Sequence, residues 1–287
     1  MEELIKRIKN LDNLSPGQKK VAKFVIDSPD QVALHSAKKV GAYSDTSETT
    51  VIRLCYALGY SGYNELQTKV RMSMWGSNSR EQTLQDFQDV SHHPDIGSGF
   101  TEAVLDEEDK YRQGNQWDDA VIQEAIESIN QAKQIIVIGL RTSYAPAHWL
   151  TYTLNVVRGN TNLYQGQLAD PNFLATSVNK ESLIIAFSFP RYTKETLHFV
   201  KAGKRNGATI IGISDHELSP LSLQSNIFLK VLTPKPTPTK GMSIIFSLLN
   251  VIVTGVIAEN EAQVEQRMKT YNQSEEHLQF FWDENKD

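Results

Sequence analysis

Between Gln134 and Ser214 three short runs, QIIVIG, LIIAFSF and TIIGIS, are rich in β-branched residues and separated by stretches long enough to hold helices. From Ile184 to Phe187 apolar residues follow one another with no polar alternation, which marks a strand buried on both faces. Pro190 then ends the run, because proline cannot donate to a sheet ladder. The intervening segments supply the crossovers. Helix Asp118–Ala132 leads to strand Gln134–Gly139, helix Tyr144–Val157, a strand around Asn162–Tyr164 and a helix near Leu168–Val178. Strand Leu183–Phe189 leads to helix Thr193–Asn206, strand Thr209–Ser214 and a short strand Ile227–Val231. Strands alternating with helices predict an α/β domain over 117–272, with a parallel sheet covered on both faces. One long helix from about Lys240 to Tyr271 closes it.

The first 75 residues read instead as short helices. Ser15-Pro16-Gly17-Gln18 is a capping box, with Ser15 as N-cap, Pro16 at the first helical position and Gln18 reaching back. Its apolar stripe, Val21, Phe24 and Val25, ends at Ser28-Pro29. A second helix opens at Ser36 and runs through Val40. A third opens at Ser47 and continues to Leu58, with Gly59 as its C-cap. Residues 76–116 form an acidic join, partly helical from Phe100, and 273–287 a polar tail. The length of 287 residues suits two domains.

Charge separates the two parts. Net charge is −5, but residues 1–75 carry eleven Lys and Arg against eight Asp and Glu, while the remainder carries eighteen against twenty-six. Only the first part can meet phosphates without repulsion. The single Cys55 forms no internal disulfide and no zinc-type spacing exists, which fits a reducing cytoplasm. His92-His93-Pro94-Asp95 reads as solvated rather than metal-binding, and no cofactor is called for. The start, MEELIKRIKNLDNL, is amphipathic and unlike a signal peptide. Met242–Ala258 is apolar for 17 residues but interrupted by Ser243, Ser247, Asn250 and Thr254. A membrane span needs about 20 residues, so the expectation is a buried or dimer-interface helix.

A helix from Ser36, a turn through Tyr43-Ser44-Asp45 and a helix from Ser47 form the layout of a helix-turn-helix. At 100° per residue Val51, Leu54, Cys55 and Leu58 share one side of the second helix and face a small core. Thr49, Arg53 and Tyr56 lie opposite, with Thr50 on the flank. Such a helix enters the major groove with its N-terminal residues leading. Arg53 is suited to a guanine edge and the threonines to base edges or thymine methyls. Ser47 and the free amides behind it suit a phosphate. The alternative is a plain helical subdomain with a solvated Arg53. The stretch TSETTVIRLCYALGYSGYNEL resembles the N-terminal domain of the RpiR family of bacterial transcription regulators. The match runs through Ser47, Thr50, Val51 and Arg53, then Leu58-Gly59-Tyr60 and Gly62-Tyr63. The resemblance implies that the Gly-rich tail turns the chain into a packing helix, so Tyr60 and Tyr63 receive no DNA role.

The same resemblance implies that the second part is a sugar isomerase (SIS) domain, a five-stranded parallel sheet flanked by helices. SIS domains bind phosphorylated sugars on two loops at the carboxyl ends of strands, as open α/β sheets do. The first loop matches at Gly139-Leu140-Arg141-Thr142-Ser143. The second matches at Ser188 and Thr193 of Ser188-Phe189-Pro190-Arg191-Tyr192-Thr193, but Pro190-Arg191 replaces a Ser-Gly pair. Hydroxyls at Ser188 and Thr193 and the amides of the following helix suit a phosphate. Arg191 offers a charged fork in place of the missing hydroxyl. Alternatively, Arg191 pairs with Glu195 on the surface, Arg141 is an ordinary loop arginine, and Ser143 caps the helix after it. Lys240 follows Pro234, Pro236 and Pro238 and is placed over the pocket.

Three functions compete. The first is a regulator of carbohydrate genes, gated by a phosphorylated sugar or amino sugar, that binds a palindromic double-stranded operator as a homodimer or dimer of dimers. The second is a sugar phosphate isomerase, which needs a positioned base, with His148, Glu195 and His198 as candidates. The third is a non-catalytic regulator that binds another protein through the SIS face. The helix-turn-helix favours the first.

Overall fold

The computed structural model describes residues 2–9, 11, 14–74, 99–166, 174, 176–233 and 241–278. Two units divide the chain, Met1–Gln82 and Thr83–Asp287. In the first, the described residues form α1 (Glu2–Lys9), α2 (Pro16–Asp27), α3 (Pro29–Leu34), α4 (Ala37–Tyr43), α5 (Glu48–Ala57) and α6 (Tyr63–Met74). The capping box forms as expected, with Gln18 N donating to Ser15 Oγ at 3.3 Å and Ser15 N to Gln18 Oε1 at 2.9 Å. The sequence reading missed α3, because Pro29 ends α2 yet also serves as the first residue of the next helix.

Helices α4 and α5 approach closely at Gly41. A Cβ there would stand 2.9 Å from the Ser47 carbonyl carbon, so only glycine fits without a shift. Behind them α6 closes the carboxyl end of α3. Tyr63 Oη lies 2.9 Å from the Val32 carbonyl and 2.8 Å from that of His35, and Arg71 Nε donates to Ala33 at 2.7 Å. Otherwise unpaired helix carbonyls are thus satisfied by side chains. Tyr60 and Tyr63 are both buried, in keeping with a structural role.

In the second unit come α7 (Phe100–Gly114), α8 (Asp119–Gln131), β1 (Gln134–Gly139), α9 (Tyr144–Val157), β2 (Thr161–Tyr164), β3 (Ser182–Phe187) and α10 (Lys194–Arg205). They are followed by β4 (Thr209–Ser214), β5 (Ile227–Lys230), α11 (Met242–Glu259) and α12 (Glu261–Leu278). The five strands form one sheet in the order β2-β1-β3-β4-β5, and every neighbouring pair is parallel. Alternate residues of β1 feed two cores. Ile135 and Val137 pack with α8, α9 and α11, while Ile136 and Ile138 pack with Tyr164, Phe199 and Val200. Burial of both faces explains the runs without polar alternation.

One expectation needs correction, and one is met. The closing helix is not continuous. It breaks at Asn260, where α11 ends and the Asn260 carbonyl accepts from Gln263 N and Val264 N, and α12 then extends to Leu278, into the expected polar tail. The apolar run in α11 serves the chain's own core, with Ile245 fully buried and Val253 7% exposed. Substitution at either position therefore probes folding rather than dimerisation. By length and composition α11 is the one helix among the described residues apolar enough to cross a membrane, but one face of it packs on α8 and α9. The expected helix near 168–178 lies largely outside the described residues, as do His92, His93 and the tail beyond 278.

Candidate functional site

On α5 the side chains divide as the helical wheel requires. Val51, Leu54, Cys55 and Leu58 are buried, and Thr49, Arg53 and Tyr56 are exposed, Tyr56 by 60%. Burial pushes the Cys55 thiol up to about 11, so it is an uncharged small hydrophobe. Ser47 and Thr50 are differently employed. Ser47 Oγ accepts from Thr50 N at 3.2 Å and lies 2.9 Å from Thr50 Oγ1, so these hydroxyls cap the helix. Of the five residues expected to face DNA, Ser47, Thr49, Arg53 and Tyr56 are exposed and Thr50 is half-buried. The turn ahead is fastened by Asp45, at a left-handed φ of 52°, whose Oδ2 lies 2.5 Å from Lys20 Nζ on α2. That pairing lowers the Asp45 carboxyl below its ordinary range.

The second site stands at the carboxyl ends of β1 and β3, which pair in register at Gly139 and Phe187. Parallel pairing thus places the 139–143 loop beside the 188–193 loop. A Cβ on Gly139 would collide with the Ser143 carbonyl, so glycine is what lets the first loop fold back. Between the loops lies a cavity of about 290 Å³ whose walls include Arg141, Thr142, Ser143, Ser188, Arg191 and Thr193. It shares Leu140, Arg141, Arg191 and Thr193 with a wider recess of about 670 Å³ that reaches Gln165, Gly166, Tyr192 and Glu195. Six sequence-predicted side chains meet here. Lys240 lies outside the described residues.

Three features mark this cavity as unfinished. Ser188 is only 3% exposed, and its hydroxyl has no hydrogen-bond partner. An unpaired buried hydroxyl costs about 1–3 kcal/mol. Second, Arg141 and Arg191 both sit at left-handed backbone angles, with φ of 58° and 74°. Such strain costs on the order of 1–3 kcal/mol per residue and gathers at ligand clamps. Third, no side chain caps α10, whose first amides open beside Thr193. Ser243 Oγ is also buried and unpaired, but it borders neither recess.

Two alternatives weighed from the sequence are not realised. Ser143 adopts helical angles, makes no capping hydrogen bond to α9, and lines the cavity. Glu195 does not pair with Arg191. Its Oε1 accepts from Tyr164 Oη at 2.7 Å, and among the described residues Arg191 forms no ion pair. Tyr164 lies on β2, 31 positions from Glu195, so this pairing is invisible to local pattern reading. The second loop is braced from below by Ser214 Oγ donating to the Ser188 carbonyl at 2.5 Å and Tyr192 Oη donating to Asp215 at 2.8 Å. Burial, then the adjacent Asp215 charge, raises the Tyr192 hydroxyl well above its ordinary value, so it stays a donor. His148 stacks on Tyr144 with ring centroids 5.9 Å apart, and neither it nor His198 lines the two recesses.

The model of the helix-turn-helix domain of the rpiR family matches residues 1–76, and that of the SIS domain matches 128–255. A helix-turn-helix joined to an SIS domain defines a class of DNA-binding regulator built around a sugar-phosphate-binding fold. The two parts of the chain are thus a helix-turn-helix domain of the rpiR family and an SIS domain. It is 26% identical over 282 residues to the HTH-type transcriptional regulator HexR of Pseudomonas aeruginosa, covering 96% of each chain. Among solved structures, Vibrio vulnificus NanR complexed with ManNAc-6P is similar at TM-score 0.57 and 20% identity, over 96% of this chain and 98% of that one. The sugar isomerase domain of an RpiR transcription factor from Sphaerobacter thermophilus is similar at TM-score 0.58 and 18% identity, over 61% of this chain and 98% of that one. At these identities the structural likeness speaks for the fold.

Proposed function

We propose that the protein is a cytoplasmic regulator of carbohydrate genes in which a phosphorylated sugar or amino sugar fills the cavity between the 139–143 and 188–193 loops and changes operator binding. The observation that carries this is the buried, unpaired hydroxyl of Ser188 between two left-handed arginines. Ser143, Ser188, Thr193 and the amides of α10 take the phosphate, and Arg141 and Arg191 neutralise it. Glu195, steadied by Tyr164 in the wider recess, accepts from a hydroxyl or amine on the sugar. Relatives of this chain are transcription regulators, and NanR is known with ManNAc-6P, which supports both halves of the reading.

The ligand is sensed and not converted. Isomerisation needs a positioned base, and of the three candidates His148 and His198 border neither recess, while Glu195 is assigned to hold the sugar. On the DNA side Thr49, Arg53 and Tyr56 form the reading face. A two-fold homodimer, alone or as a dimer of dimers, sets two such helices on a palindromic operator. Coupling between the two sites is on the order of 1–3 kcal/mol. A thermal-shift screen of phosphosugars and their unphosphorylated parents tests the proposal. A phosphosugar at about 100 times its dissociation constant stabilises by about 2.7 kcal/mol, while its parent alcohol has little effect. Equal shifts from both, or none from either, contradict it.

A further inference from the structure

Two arginines outside the cavity have no assigned task. Arg158 caps the end of α9, and Arg267 lies on α12. Both guanidinium groups converge on Gly159, at the amino end of the sheet, opposite the strand ends that carry the phosphosugar cavity. Arg158 donates through Nη1 to the Gly159 carbonyl at 3.3 Å and through Nη2 to the Ala132 carbonyl. Arg267 donates through Nε to the Asn155 carbonyl at 2.8 Å. Its guanidinium lies flat against Gly159, where a Cβ would come within 2.7 Å of Cζ and Nη1. Among the described residues, main-chain carbonyls and not carboxylates hold both forks in place.

Two like charges set side by side repel, and they persist in proteins when something neutralises them. Burial, followed by the charge of Arg267, lowers the Arg158 guanidinium below its ordinary value. Among the described residues neither arginine forms an ion pair. Two carboxylates on the flanking helices are engaged elsewhere. Glu259 accepts from Gln123 at 2.5 Å and Asn130 at 2.9 Å, and Glu265 pairs with Lys269 at 2.7 Å. The break at Asn260 swings α12 past the end of α9, and the groove this opens measures about 660 Å³. Gln263 and Gln266 add side-chain amides to its wall.

We propose that this groove is a second anion site, which takes the phosphoryl dianion of a small phosphorylated metabolite on the paired forks of Arg158 and Arg267. A phosphate monoester carries about −1.5 to −2 charge at pH 7, which matches two guanidinium groups. A planar fork also binds phosphate oxygens two at a time. The inference does not rest on the phosphosugar reading of the other cavity, and the two are separable by experiment. Titrate full-length protein with inorganic phosphate by calorimetry, in wild type, Arg191→Gln, Arg267→Gln and the double variant. Arg267 is on the surface, so glutamine there leaves the fold intact, as circular dichroism will verify.

The expected result is phosphate binding that survives Arg191→Gln and is lost, by about ten- to a hundredfold in affinity, when Arg267→Gln is added. Arg267→Lys, which keeps the charge but loses the fork, is expected to fall between. Phosphate binding in the Arg191→Gln protein that ignores both Arg267 substitutions overturns the proposal. So does an absence of binding in that protein. A change in oligomer mass on Arg267→Gln without any phosphate response also overturns it, by assigning the arginines to a carboxylate of a second copy of the chain.

Discussion

The hydroxyls of the reading helix and the Ser188 hydroxyl of the cavity stand in opposite conditions. Ser44 donates to the Val40 carbonyl at 2.8 Å, and Ser47 and Thr50 cap α5 between them. Even the strained Asp45 is an aspartate, a residue that tolerates left-handed backbone, and it is tied to Lys20. In the cavity, Ser188 is buried with nothing to bond, and two arginines hold angles that their side chains disfavour. The helix-turn-helix is thus complete as it stands, with its reading face preformed. On the proposed reading, the cavity is completed by its ligand. A sensor built this way stores unfavourable energy in the empty state, and that energy becomes ligand affinity.

The largest expected effect sharpens the division into two units. Ile245→Asp buries an unpaired charge in the α/β core and is expected to destabilise that unit by more than about 4 kcal/mol. The N-terminal unit should keep its own transition, which Cys55 reports. Its thiol, raised to about 11, should resist alkylation at neutral pH until that unit opens. Simultaneous loss of both units, followed by circular dichroism and Cys55 labelling, would break the comparison.

Next in size is Gly41→Ala. The added Cβ meets the Ser47 carbonyl carbon at 2.9 Å, so α4 and α5 must separate. Overpacking of this kind costs about 1–3 kcal/mol. Operator affinity should fall while phosphosugar affinity holds. Unchanged thermal unfolding would show that the two helices have room to shift.

Two reciprocal substitutions follow. Arg191→Ala should weaken phosphosugar binding by about 1.5–3 kcal/mol and leave ligand-free operator binding alone. Arg53→Ala should weaken cognate operator binding by about 1–3 kcal/mol, with less change on unrelated DNA and none in calorimetry with sugar. Equal loss on both DNAs would confine Arg53 to phosphate contact.

Much of this architecture was legible because it is local. Strands β1 and β4 and helix α9 run over the residues expected, since apolar runs, a proline stop and a 3.6-residue period each act within one element. The wheel of α5 was equally readable, from Val51 and Leu54 inward to Arg53 outward. What escaped depends on partners distant in sequence or on backbone angle. Nothing local tells that Tyr164 takes Glu195 from Arg191, or that Gly41 lies against Ser47. Pro29 reads as a stop and is also a start. The break at Asn260 carries no proline or glycine, so the apolar run and the polar helix after it looked continuous. Ser188 was expected in the cavity, but its unpaired state is a property of the folded neighbourhood alone.

The smallest effect is the most direct test. If the empty cavity truly strands the Ser188 hydroxyl, Ser188→Ala removes a buried polar group that had no partner. Ligand-free stability should then rise, by about 1 kcal/mol, because the desolvation cost disappears. Affinity for the best phosphosugar should fall by about 0.5–1.5 kcal/mol, because a donor is lost. Chemical denaturation of the α/β unit with and without ligand measures both in one experiment. Opposite signs are the predicted result. A Ser188→Ala protein that is less stable without ligand, or that binds phosphosugar as tightly as wild type, would show that the hydroxyl supports the fold and does not await a phosphate.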